Sequence, residues 1–147
     1  MLSDPKSKQE IHRRYAEKFL EDIWSQGKLD VCDEILDDNF VFVLPADPFK
    51  LEGIENFKLL IQRNRTAFTN LTYFIKDHIG ESNMAATTWK MSGLHVKKWF
   101  GVEGTNKFIS INGVTIFTFK DGKITQVEVQ NETLNLMQQL GVKMTPP

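Results

Sequence analysis

The main change of period in the hydrophobic and polar positions along this chain falls near residue 68, where a mostly helical part gives way to a mostly strand part. Ile11, Tyr15, Phe19, Leu20, Ile23 and Trp24 recur at helical spacing behind Ser7 and Glu10, which have the form of a capping box, and Gly27 supplies a C′ glycine. A short second helix is predicted from about Asp30 to Leu36, with Val31, Ile35 and Leu36 turned inward. Phe40 to Leu44 then reads as a short apolar strand stopped by Pro45 and Pro48, since proline cannot donate to a ladder. Ile54, Phe57, Leu60, Ile61 and Phe68 return to helical spacing, predicting a third helix over about Gly53 to Ala67.

From there β-branched and aromatic residues dominate in four runs: Leu71–Ile79, Met84–Phe100, Lys107–Lys120 and Ile124–Gln130. Turn-forming segments separate them, the last being the two-residue hairpin signal Asp121-Gly122, so the runs predict a four-strand antiparallel meander. Leu134, Met137 and Leu140 lie on one face of a closing helix ended by Gly141. Helices followed by a long sheet is an α+β order, with the helices packed on one face of the sheet. Strand twist should curl such a sheet into a half-open cone, leaving a cavity where side chains do not fill the mouth. Along the run at 107–120, Ile109, Ile111, Phe117 and Phe119 share one parity and Phe108, Val114 and Ile116 the other, so both faces read as buried. Burial of the outer face predicts a homodimer.

Composition adds little to the architecture but narrows the partners. A length of 147 residues suits a single domain, with an ordered core over about 7–141. Hydrophobic residues at 41% and charged residues at 25% call for neither disorder nor a membrane span. Eleven Phe and three Trp exceed minimal packing needs and suit a pocket wall or a subunit interface. A net charge of −1 gives no electropositive field for nucleic acid or an anionic membrane, so a small apolar or carbonyl-containing molecule is the expected partner. Cys32 has no second cysteine to pair with, and the polar stretch from Ser3 to Arg14 has no signal-peptide core, so a cytoplasmic location is expected.

The run Asp121–Gly141, DGKITQVEVQNETLNLMQQLG, resembles the SnoaL-like ester cyclase signature, in which a D-G-K-I hairpin leads through a strand to a helix ending Q-L-G. Gly93-Leu94-His95 is similar to the family's G-T-H, and the order of elements matches over nearly the whole chain. The resemblance implies the cone-shaped fold of nuclear transport factor 2: a curved antiparallel sheet with N-terminal helices on its concave face, in a dimer. It also implies ring closure of polyketides by intramolecular aldol condensation without metal or organic cofactor. An acid/base carboxylate belongs at the junction of the last strand and last helix. That position falls on Glu132, beside Asn131, where the family carries Asp. At positions where the family tends to carry His and Trp, this chain has Val43 and Glu128.

An aldol closure needs a base for a proton between carbonyls and donors for the developing oxyanions. Glu132 is the candidate base; the other reading places it in the first turn of a helix capped by Asn131, where negative charge suits the dipole. His95 shares strand parity with Trp89, Met91 and Gly93, so it is either a donor or proton relay in the pocket or a rim histidine bonded to backbone. Trp89, Trp99 and Phe100 line the cavity or pack a core or interface. Asn112, Thr118 and Gln130 are polar groups in strands that otherwise read as buried, and either orient a ligand or face water. Glu128 between Gln126 and Gln130 forms a wet wall or a solvated face. Arg63 and Arg65 suit the negative C-terminal pole of the third helix.

His12, His78 and His95 lack metal-ligand spacing, so no metal site is expected. No nucleophile elbow, phosphate loop or dinucleotide fingerprint occurs. Besides an enzyme, two functions stay open: a non-catalytic binder of an apolar metabolite, and a protein-interaction module resembling the transport factor.

Overall fold

The computed structural model describes residues 5–44 and 50–143. Helix α1 (Pro5–Glu17) starts ahead of Ser7, so the capping box lies inside the helix instead of at its cap. The helix runs on through a π-helical stretch, Lys18–Ser25, that buries Phe19, Leu20, Ile23 and Trp24. Gly27, at φ 72°, ends it by donating to the Ile23 carbonyl at 2.9 Å. α2 (Asp30–Ile35) leads directly into β1 (Leu36–Val43), which starts four residues before the predicted strand. Pro45 and Pro48, the predicted stop, lie outside the described residues. β2 (Lys50–Glu52) and α3 (Ile54–Ala67) follow, then β3 (Phe68–Glu81), β4 (Met84–His95), β5 (Phe108–Lys120), β6 (Lys123–Asn131) and α4 (Thr133–Gln139).

The six strands form one sheet in the order β2-β1-β6-β5-β4-β3. The antiparallel meander is present, but the sheet is mixed, because β1 lies parallel to β6 with Val43 opposite Glu128. This pairing joins residues more than eighty positions apart, which local patterning does not encode. β4 stops at His95, not at Phe100. Beyond it the Val96 and Lys97 amides donate to the Ala67 carbonyl at 2.8 and 3.2 Å, drawing the chain off the ladder into a loop over 96–107.

The odd-numbered residues of β4 and β5 face the helices. Ala85, Thr87, Trp89, Met91, Ile109, Ile111, Thr115, Phe117 and Phe119 are all buried there. Phe57 of α3 is the hub of the core, with ring centroids 5.1–5.9 Å from Phe19, Trp24, Phe40 and Phe42. The outer row is less buried than its composition suggested: Phe108 is 68% exposed, and Val114 and Ile116 are half-buried. No helix among the described residues is long and apolar enough to cross a membrane.

Candidate functional site

A cavity of about 530 Å³ lies between the inner face of the sheet, the end of the first helix, α3 and α4. Trp89 and Met91 of β4 and Ile111 and Thr115 of β5 form its floor, and Trp24 and Tyr73 close one side. Leu60, Arg63 and Asn64 of α3 face Leu136 and Met137 of α4, while Leu59, Trp99 and Phe100 lie along the lip. The size and the apolar walls suit a small organic molecule.

The floor is set by one close approach. Trp89 is the register partner of Gly113, and a Cβ on that glycine would lie 2.4 Å from the indole Cη2. Only a residue without a side chain lets the indole lie across β5, where its Nε1–H donates to Thr115 Oγ1 at 2.8 Å. At the lip, Trp99 Nε1–H donates to Asn64 Oδ1 at 3.0 Å, and Asn64 Nδ2 donates to the Leu60 carbonyl at 2.9 Å. Trp99 and Val102 exchange backbone hydrogen bonds of 2.9 Å around Phe100 and Gly101, both at positive φ (45° and 79°). For Phe this is an unfavourable conformation, and it holds the ring 73% exposed at the lip.

Tyr73 borders the cavity yet is ringed by protein, with Trp24 and Trp89 at 5.7 and 4.8 Å between ring centroids. Burial pushes its phenol well above the ordinary range, so it keeps its proton. Arg65 Nη1 donates to the carbonyls of Trp24 and Ser25 at 3.0 and 2.6 Å, closing the end of the first helix instead of serving the pole of α3. Arg63 is exposed at the cavity mouth and has no hydrogen-bond or ion-pair partner among the described residues.

Of the nine residues expected to bind a ligand, four meet at this cavity, Trp89, Met91, Trp99 and Asn131, and Phe100 and Arg63 join them at its lip and mouth. Asn131 Oδ1 accepts from the Thr133 hydroxyl, so it ties the last strand to α4. His95 shares the inward row but is fully buried beyond the cavity, against Phe68 at 5.0 Å. Its Nδ1 accepts from the Thr105 amide at 3.3 Å and lies 3.0 Å from the Thr105 hydroxyl, which pins the loop over 96–107. Its Nε2 is buried with no partner among the described residues.

The other five pocket residues lie elsewhere. Val43 pairs with Glu128, and Glu128 with Ile116, which puts all three on the outer row. Gln130 opposes Val114, Thr118 opposes Gln126, and Asn112 opposes Lys90, so these too occupy the outer face. The polar row of β6 is therefore a wall of the outer face, and none of its members borders the cavity.

Glu132 requires the largest correction. Its side chain is exposed and does not line the cavity; Oε1 accepts from the Asn112 amide at 2.7 Å and from Asn112 Nδ2 at 3.3 Å. The Asn112 amide holds its carboxyl below the usual carboxylate range, with further help from Asn135 and Lys76 against some desolvation. Gln139 acts similarly, accepting from the Ser110 amide at 3.0 Å and donating to the Ser110 carbonyl at 2.8 Å. Past the Gly113–Asn131 pair β5 has no β6 partner, and these two side chains satisfy its free edge.

A family model for SnoaL-like polyketide cyclases matches residues 14–140. The chain belongs to the SnoaL-like polyketide cyclase family. Solved structures repeat the fold of this SnoaL-like protein. TsrD from Streptomyces laurentii superposes with a TM-score of 0.82 at 23% identity, covering 91% of this chain and 97% of that one. A candidate SnoaL-like polyketide cyclase from Jannaschia sp. CCS1 gives 0.84 at 18% identity, covering 94% of both chains. A candidate polyketide cyclase from Bacillus cereus ATCC 10987 gives 0.73 at 25% identity, covering 88% and 80%. No curated protein matches the sequence.

Sequence reasoning on the SnoaL-like chain missed Tyr73, Thr115 and Asn64. Leu71, Tyr73 and Ile75 share one parity, but Phe74 falls on the other, and bulges between Thr69 and Thr72 and between Ile75 and Asp77 break the alternation at both ends, so Tyr73 was not singled out. Thr115 looked like one more β-branched strand residue.

Proposed function

We propose that this SnoaL-like protein takes an apolar, carbonyl-bearing molecule of polyketide type into the cavity and promotes ring closure there without metal or organic cofactor. The carrying observation is the apolar cavity of about 530 Å³ with a few polar groups converging on its floor and mouth. Walls of this kind fold a flexible polycarbonyl chain so that its reacting carbons meet, which lowers the entropic part of the barrier. Tyr73 and Thr115 supply hydroxyl donors for an enolate oxygen. A solvent base takes the proton between two carbonyls, the enolate carbon bonds to the second carbonyl carbon, and the alkoxide formed there takes a proton back, so the closure needs no leaving group and no redox partner.

A second reading, a binder without turnover, is favoured by one observation. Among the described residues the cavity wall carries no carboxylate or imidazole, and Glu132 is committed to the β5 edge. Incubation with a 1,3-dicarbonyl ester in deuterium oxide separates the two. Exchange at the central carbon above the buffer rate, with cyclised product, supports the enzyme. Thermal stabilisation without either supports the binder. Neither effect would refute both.

The outer face suits a second copy of the chain, since Phe74 (56% exposed), Phe108 and the half-buried Val114 and Ile116 lie on it. Sedimentation equilibrium should give the dimer mass; a monomer at micromolar concentration would refute this assembly.

A further inference from the structure

Tyr73 is the only phenol on the described wall of the cavity, and its position is fixed on two sides. Its ring lies against Trp24 and Trp89, and its backbone N–H donates to Ser25 Oγ at 2.8 Å. Among the described residues its hydroxyl has no hydrogen-bond partner. Apart from the Trp24 indole N–H, which also has no hydrogen-bond partner among the described residues, the other polar side chains around the cavity are engaged or solvated. Asn64 is bonded through both ends of its amide, Asn56 Nδ2 donates to the Glu52 carbonyl at 3.0 Å, Asn131 accepts from Thr133, and Arg63 is exposed.

Thr115 shares the unengaged state of Tyr73. Its oxygen accepts from Trp89 Nε1, but its hydrogen has no acceptor among the described residues. Both residues therefore touch the same indole, Tyr73 through its ring and Thr115 at Nε1. A hydroxyl in an apolar surround gains a hydrogen bond wherever an acceptor reaches it, and leaving it unmade is costly. Because desolvation keeps the phenol protonated, it offers a donor throughout the neutral range.

We infer that Tyr73, with Thr115 as a second donor, recognises an acceptor oxygen of the ligand and so selects carbonyl compounds over hydrocarbons of the same shape. This rests on the reading of the cavity as a ligand site and adds the feature that sets its specificity. Tyr73 is a specificity-determining group for a ketone or enolate oxygen seated at the floor.

The test uses two bicyclic probes of one shape, 1-tetralone and tetralin, with binding followed by quenching of tryptophan emission. The native protein should bind the ketone about tenfold more tightly, as one extra hydrogen bond in an apolar site allows. Tyr73→Phe keeps the ring and should cut that ratio severalfold, to what Thr115 alone supplies, with tetralin binding still measurable. The infrared carbonyl stretch of bound 1-tetralone should lie below its value in hexane, and should return towards that value in Tyr73→Phe. If tetralin binds the native protein and the ketone binds no better, the cavity reading stands and the assignment of Tyr73 falls. If Tyr73→Phe retains the full preference, the assignment also falls. If neither probe binds, the ligand-site reading fails and takes this one with it. Should the variant not fold, a carbonyl stretch at the hexane value in the native protein overturns the assignment by itself.

Discussion

Glu132 and Asn112 are joined by a carboxylate-to-amide hydrogen bond of 2.7 Å, and the Glu132 amide in turn donates to the Asn112 carbonyl at 3.2 Å. Together these contacts extend the sheet edge past the last β6 pair, so Glu132 does the work of a missing strand residue. Its acidity, placed by family resemblance in catalysis, is spent on backbone.

Glu132→Ala should therefore lower the melting temperature, because it frees the Asn112 amide, without changing affinity for a cavity ligand. The carboxyl is lowered in the fold, so its contribution is fully present above the ordinary value of 4.5 and is lost as pH falls through the lowered value. Chemical denaturation of native and Glu132→Gln proteins checks this: their difference should shrink in acid. Loss of ligand affinity in Glu132→Ala would contradict the placement.

Gly113→Ala should disturb the cavity floor. A Cβ there meets the Trp89 ring at 2.4 and 2.5 Å and the Gln130 carbonyl at 3.0 Å, so the indole must move and its bond to Thr115 must break. Overpacking of this kind costs about 1–3 kcal/mol, readable by urea denaturation, and the tryptophan emission should shift. An unchanged spectrum would show that the indole does not lie over Gly113.

Acid should weaken the fold below about pH 6.5, the ordinary histidine value. His12, stacked on Phe119 at 3.8 Å, and His78 both have lowered pKa values, caused first by burial and then by nearby charge: Lys8 and His78 act on His12, and Arg13 acts on His78 against a smaller opposing effect of Glu17. With folded values below unfolded ones, the unfolded chain takes up more protons, and stability falls as pH drops from 6.5 towards the lowered values. His12→Phe should flatten that slope in melts between pH 7 and 5.

Cys32 is fully buried and its thiol is pushed up to about 12, chiefly by desolvation. Iodoacetamide at pH 8 should leave it unmodified in the native protein and alkylate it in urea. Rapid native labelling, seen by mass spectrometry, would mean that the packing of α2 opens readily.

Much of the fold was legible because its signals are local. Asp121-Gly122 forms the expected tight turn with φ 50° and 77°, and Gly27 and Gly141 end their helices at positive φ. The alternation in β4 placed Trp89, Met91 and His95 on one row, as found. The candidate site was legible only in part. His95 lies on the predicted row but beyond the cavity, because the row continues under Phe68 after the cavity ends.

By itself the sequence determined the order of helices and strands apart from the three-residue β2, the turns, and which strand residues share a face, since helical and strand periods are written residue by residue. Only the tertiary structure decided which face became the inside, that β1 lies parallel to β6, and that Glu132 turns to Asn112 while Tyr73 turns to the cavity. Those outcomes depend on partners distant in sequence and on bulges that shift the alternation, and a period of two cannot say which side the helices will cover.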